Sequence, residues 1–157
     1  MRERLLHALH MGPRVVERLL RVFPTDRLDD RIDADRFTAR EVIAHLADYE
    51  QTVLDRIRVA NTKPGSKVPF YDPDGRCTEH HFADKEVFHE GEVYESRREM
   101  TLDYLRDMSE EDWKKTFVNS VGDTYSVESY LVLVLSHDLE HIEQLSSYLA
   151  TEVATIV

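Results

Sequence analysis

The run Tyr130-Leu131-Val132-Leu133-Val134-Leu135 constrains the fold of this chain more than any other stretch. Six consecutive apolar residues resemble a buried strand. Ser126 stands before them as a helix cap, however, and helical periodicity continues for more than a dozen residues beyond, so the spacing predicts a helix over 127–150. A helix that is apolar all round its first half must be covered on more than one side, either centrally in a bundle or against a second subunit. The chain must therefore supply other long helices.

Residues 3–22 place Leu5, Leu6, Leu9, Val15, Val16, Leu19 and Leu20 close to a 3.6-residue period, with Gly12-Pro13 predicting a kink or a division into two helices. Phe23-Pro24-Thr25-Asp26 ends that segment. Thr38-Ala39-Arg40-Glu41 is a capping box, and Val42, Ile43, Leu46, Tyr49, Val53, Leu54 and Ile57 extend a helix to about residue 60. His45 lies inside that apolar stripe. Residues 61–83, with three prolines and two glycines, predict a long irregular connection of a length that usually serves function or lacks order. A third helix is expected over 84–108, with Val87, Tyr94, Met100, Leu102, Tyr104 and Leu105 as a patchier apolar set. Ser109 caps a short turn through Trp113, and 119–125 predicts a turn or short hairpin around Gly122-Asp123. Four main helices and little strand predict an all-α four-helix bundle with long crossover connections, as a single domain over 1–157.

Charge narrows the function classes. With 31 acidic against 20 basic side chains the net charge is −11, and no Lys/Arg-rich tract appears. That balance disfavours nucleic acid and anionic membrane surfaces as partners. No apolar run approaches the ~18–20 residues of a membrane span. The N-terminal Met-Arg-Glu-Arg-Leu-Leu-His is broken by charge and lacks a signal-peptide core. The one cysteine, Cys77, suits a reducing cytoplasm, the expected location.

The chemistry concentrates in histidine. Of eight histidines, His137 and His141 lie one helical turn apart and share a face with Gln144 and Tyr148. His45 is the third candidate, because it too sits on a core-facing stripe. Three imidazoles with one open position are the pattern of a catalytic zinc or similar divalent ion, at ~2.0–2.1 Å from each nitrogen. His45 matches the depth of the pair only if its helix runs antiparallel to the last one, which in turn requires a long crossover. The competing reading satisfies these histidines with carboxylates near in sequence: Asp48, Asp138 or Glu140.

Other candidates read as structural. His80-His81 with Cys77 and Glu79 suggests a solvated loop rather than a second metal site, although the loop would bring Tyr71 or His81 near the first if it folded over it. Asp72-Pro73-Asp74-Gly75 reads as a turn, not a calcium loop. Cys77 has no identifiable partner base. His7, His10 and His89 read as surface residues, and Trp113 with Phe117 as a packing anchor.

Two segments carry a family resemblance. Arg40-Glu41-Val42-Ile43-Ala44-His45-Leu46 resembles the REV-x-x-H-L segment of the DinB-like superfamily, the damage-inducible four-helix-bundle proteins unrelated to the DNA polymerase of that name. His137-Asp138-Leu139-Glu140-His141-Ile142-Glu143-Gln144-Leu145 is similar to that family's closing H-x-x-E-H-x-x-Q-[LI] signature. Pro13 and the turn from Ser109 to Trp113 also sit where the family would place them, whereas residues 61–83 match none of its motifs. The resemblance implies a four-helix bundle, often a homodimer, with a divalent metal on His45, His137 and His141; three imidazoles suit zinc, nickel or iron alike. It also implies a small-molecule substrate and, from characterised relatives, transferase or isomerase chemistry with a low-molecular-weight thiol. The alternative is a non-catalytic stress-response or small-ligand-binding protein whose metal is structural.

Overall fold

In a computed structural model of the protein, the described residues are 1–156, with side chains described for 1–151; Val157, the last residue of the expected domain, lies outside them. The described residues form five α-helices: α1 (Arg2–Val22), α2 (Ala39–Thr62), α3 (Pro73–Glu79), α4 (Val87–Arg106) and α5 (Val127–Ile156). A two-stranded antiparallel hairpin, β1 (Thr116–Val118) with β2 (Thr124–Ser126), precedes α5 and pairs Phe117 with Tyr125.

The four long helices make the bundle, and side-chain contacts define their directions. Tyr148 Oη donates to the Phe37 carbonyl just ahead of α2, and Tyr49 Oη lies 3.2 Å from Tyr130 Oη, so α5 runs back along α2. Arg40 donates to the Lys85 carbonyl, Arg98 to Glu50 and Asn61 to the Tyr104 hydroxyl, so α4 runs parallel to α2. Arg2 faces Glu110, His10 faces Glu99 and Leu20 faces Gly91, so α1 is antiparallel to α4. Around the bundle the neighbours are α1–α4, α4–α2, α2–α5 and α5–α1, which leaves α1 and α2 diagonal. A parallel α2–α4 pair forces residues 63–86 to travel the length of the bundle. That is the expected long crossover, and the antiparallel α2–α5 pairing is the one that the depth of His45 required.

Several local expectations change. The capping box forms as read: the Glu41 backbone amide donates to Thr38 Oγ1 and the Thr38 amide to Glu41 Oε1. α1, by contrast, passes through Gly12-Pro13 as one helix. Proline at position 13 removes the amide that would bond the Leu9 carbonyl, and Arg98 Nη1 replaces it at 2.7 Å. A tertiary donor thus repairs the ladder where local sequence predicted a break. Gly12 permits the repair, since a Cβ there would sit 2.7 Å from Asp138 Oδ2.

The connection after α2 is more ordered than its prolines suggested. Val68 donates to the Val118 carbonyl and pins the crossover to the hairpin, Pro73 opens α3 in the first helical turn, and Phe82 is buried. α4 begins at Val87 rather than near 84, because the Glu86 carboxylate caps the Phe88 and His89 amides. In α5, Tyr130, Leu131 and Val134 are buried but Val132 and Leu133 are 56% and 38% exposed. This chain alone therefore covers one side of the apolar run, not all of it.

Candidate metal centre

The capped start of α2 fixes His45 on its inward face, and the antiparallel α5 sets His137 and His141 opposite it. His45 Nε2 is 3.0 Å from His137 Nε2, which is 3.1 Å from His141 Nε2. The three imidazoles thus meet at one point, with a ligand atom from each lying within 4.8 Å of the other two. His45 is buried, while His137 and His141 are half-buried and edge a cavity of about 630 Å³.

What surrounds the rings decides which nitrogens carry protons. The Phe37 carbonyl can only accept, so Tyr148 Oη donates to it at 2.7 Å. The Tyr148 oxygen then accepts from Gln144 Nε2 at 2.7 Å, which turns Gln144 Oε1 toward His141 Nδ1 at 2.9 Å. An amide oxygen cannot donate, so the His141 proton is on Nδ1 and its Nε2 lone pair faces the centre. The same logic runs through the crossover. Arg76 grips both oxygens of Asp48 at 2.6 Å, and that bond, working against burial, holds the carboxyl below its usual range. The ionised Asp48 accepts from Tyr71 Oη at 2.8 Å, leaving the Tyr71 oxygen to accept from His45 Nδ1 at 3.2 Å. His45 therefore also presents a bare Nε2.

Burial reinforces this. Desolvation, followed by the nearby His141, lowers the His45 pKa to about 3. Desolvation with His141 and His45 lowers His137 to about 2. His141 is lowered by the same burial, opposed by its bond to Gln144. The rings are neutral at neutral pH, the form in which imidazole ligates a metal. A neutral His137 can give one Nε2 proton to only one of the His45 and His141 lone pairs, so at least one of them is left without a donor. A cation at the centre would satisfy all of them, so the donor set fits a divalent ion, with the cavity side left open for another ligand.

The carboxylates proposed as competing partners go elsewhere. Asp48 reaches His45 only through Tyr71. Glu140 is exposed. Asp138 turns away from His137 to accept from Arg98 at 2.7 and 3.0 Å and from Tyr94 at 2.8 Å. Of the loop candidates, Tyr71 arrives and His81 does not: it is exposed, with φ +53°. Cys77 donates to Glu41 Oε2 at 2.9 Å, and burial with that carboxylate pushes its thiol up to about 12, so it is no nucleophile. Trp113 is a buried packing residue, as read, while Phe117, also buried, edges the cavity.

Arg56 and the Tyr49–Tyr130 pair, which belong to no motif in the sequence, line the same cavity. Positions 45, 49 and 56 share a face of α2 by helical spacing, and an arginine on an otherwise apolar stripe was the available signal.

No curated protein matches the chain. Among solved structures, YfiT from Bacillus subtilis, described as a probable metal-dependent hydrolase with an unusual four-helix bundle topology, superposes with a TM-score of 0.87 at 18% identity over 94% of this chain and 87% of its own. A mycothiol-dependent maleylpyruvate isomerase matches with a TM-score of 0.74 at 19% identity over 91% of this chain, which spans only 60% of that longer protein. A histidine-to-alanine mutant of the isomerase superposes equally well, at 18% identity. At these identities the likeness is one of fold. The sequence profile of the DinB superfamily, in contrast, matches residues 8–145, and the chain belongs to that superfamily.

Proposed function

We propose that this protein is a metal-dependent enzyme whose divalent ion is held by His45, His137 and His141, and that its reaction uses a low-molecular-weight thiol. The observation that carries the reading is the pair of hydrogen-bond chains, from the Phe37 carbonyl and from Asp48. They aim Nε2 of His141 and of His45 at one point on a cavity wall. A neutral trio without that direction would only be a packed core; with it, the lone pairs await a cation.

Such an ion supplies Lewis acidity and lowers the pKa of a water or thiol bound to it. The chain's own residues do the rest. Gln144 and Tyr71 hold the two imidazole tautomers, and Tyr49 packs against His137 at 4.6 Å between ring centroids, which limits its rotation. The thiol comes from outside the chain, because Cys77 is tied to Glu41. The mycothiol dependence of the structurally similar isomerase supports that choice of cosubstrate. A purely structural metal is disfavoured by three protein ligands beside an open cavity, since closed structural zinc sites usually use four.

Elemental analysis tests the assignment. The purified protein should carry about one divalent ion per chain and His141→Ala should lose it; stoichiometric metal retained by that variant overturns it.

A further inference from the structure

The geometry points to Arg56 as the anchor for a carboxylate on the substrate, in the part of the cavity farther along α2 from the histidines. This rests on the functional reading above, because it shares the cavity, but it makes no use of a metal.

Around Arg56, donors outnumber acceptors. Arg56 faces the cavity and has no ion-pair partner among the described residues, in a chain where acids outnumber bases by 31 to 20. Its Nη2 donates to the Pro69 carbonyl at 3.2 Å. Its Nη1 lies 3.4 Å from Tyr49 Oη and 3.5 Å from Tyr130 Oη, at the long limit for hydrogen bonds. Its Nε is buried with no hydrogen-bond partner among the described residues. The two tyrosine hydroxyls lie 3.2 Å apart, so one donates to the other and the second proton has no acceptor among the described residues. This corner of the cavity thus holds a guanidinium and a spare phenolic O–H, and no carboxylate answers them.

The Nη groups and the spare phenol lie at the cavity wall, where only water or a ligand that brings acceptors can answer them. The complement is a compact monoanion with two acceptor oxygens, which is a carboxylate. One cation and one phenol are too few for a phosphate dianion. The rest of the wall defines the body it is attached to. Tyr49, Tyr71, Phe117, Tyr125 and Tyr130 give an aromatic stretch to a wall that also carries Asp35, Arg36 and Asp74. Arg56 lies eleven residues beyond His45 on the same face, about 16 Å along the helix between Cα atoms, and its guanidinium reaches back to Tyr49. The substrate class is therefore an elongated, planar or unsaturated carboxylic acid. Its carboxylate rests on Arg56 and its other end reaches the histidine centre.

The test measures binding of 3-phenylpropionate and of its uncharged amide by calorimetry, to the purified protein with its metal and after chelation. The expected result is that the acid binds both forms, the amide at least tenfold more weakly, and that Arg56→Met lowers acid affinity about ten- to a hundredfold. Arg56→Lys should recover only part of the loss, since an ammonium cannot make the paired bonds of a guanidinium. Equal melting temperatures for the three proteins would show that the loss is not unfolding. Three outcomes overturn the proposal: no acid binding to either form, unchanged affinity in Arg56→Met, or binding that disappears on chelation, which would place the carboxylate on the metal instead. None of these depends on whether His141→Ala loses its ion, so failure here and failure of the metal assignment are separable.

Discussion

Two polar clusters inside the bundle, one around Arg98 and one around His137, differ in one respect. Around Arg98, every strong group has an answer. Its guanidinium makes bidentate contacts to Glu50 at 2.8 Å and contacts to Asp138 at 2.7 and 3.0 Å, and also caps the Leu9 carbonyl that Pro13 abandons. Residues from α1, α2, α4 and α5 meet there, and Arg98, Glu50 and Asp138 are each almost wholly buried. Around His137, one helical step away, three nitrogens face each other and a cavity opens beside them. A closed, satisfied network specifies how four helices dock. An open one with directed lone pairs specifies what they are to bind. Adjacent residues of α5, His137 and Asp138, therefore serve opposite ends because they leave the helix about 100° apart.

Breaking the closed cluster should have the largest effect. Arg98→Met strands Glu50 and Asp138 as buried carboxylates, and burial already pushes Glu50 up despite Arg98. A loss of about 3–5 kcal/mol in urea unfolding is expected. A loss below about 1 kcal/mol would show that the network is not what docks the helices.

Gly12→Ala is next. Alanine is the better helix former by about 0.8–1 kcal/mol, yet its Cβ would crowd Asp138 Oδ2 and Arg98 Nη1. Net destabilisation of about 1–3 kcal/mol is expected by overpacking; a stabilised variant would show that the cluster yields easily.

The open cluster should respond in affinity rather than in stability. Gln144→Leu removes the acceptor that holds the His141 tautomer. A ten- to hundredfold weaker metal affinity in competition with a chelator is expected, with metal-free stability little changed. If affinity holds and the melting temperature collapses, Gln144 belongs with the structural cluster.

The remaining effect is one of pH, in the chelated protein. The folded His45 and His137 titrate near 3 and 2, and His141 also lies below its ordinary value. An unfolded histidine titrates near ~6.5, so between about 6.5 and 3 the unfolded chain binds more protons. Stability then falls as pH falls through that window, by about 1.4 kcal/mol per unit for each such histidine. Asp48, lowered in the fold, acts in the same direction as its carboxyl protonates, and Glu50, raised, acts against it. Denaturation of the chain and of His137→Leu across pH 6.5 to 4.5 isolates the histidine part. Identical slopes would mean that His137 is not held neutral.

Much of this was legible in the sequence because it is written in local spacing. The capping box at Thr38, the 3.6-residue stripes, and His45, His137 and His141 on inward faces each depend on residues within a turn or two of one another. The site's supports were legible only as isolated residues. Tyr71 comes from a proline-rich crossover, Tyr148 bonds a carbonyl 111 positions away, and Arg98 replaces a helix hydrogen bond lost to a proline 85 positions earlier in the chain. The sequence by itself determined which faces are apolar, where helices start, and which three imidazoles could meet. Only the tertiary structure decided that Pro13 does not end α1, that Asp138 serves Arg98 rather than His137, and that Arg56 is left without a counter-ion. Hydrogen-bond partners across the bundle are set by which helices adjoin and in which direction they run, and no periodicity within one helix encodes that.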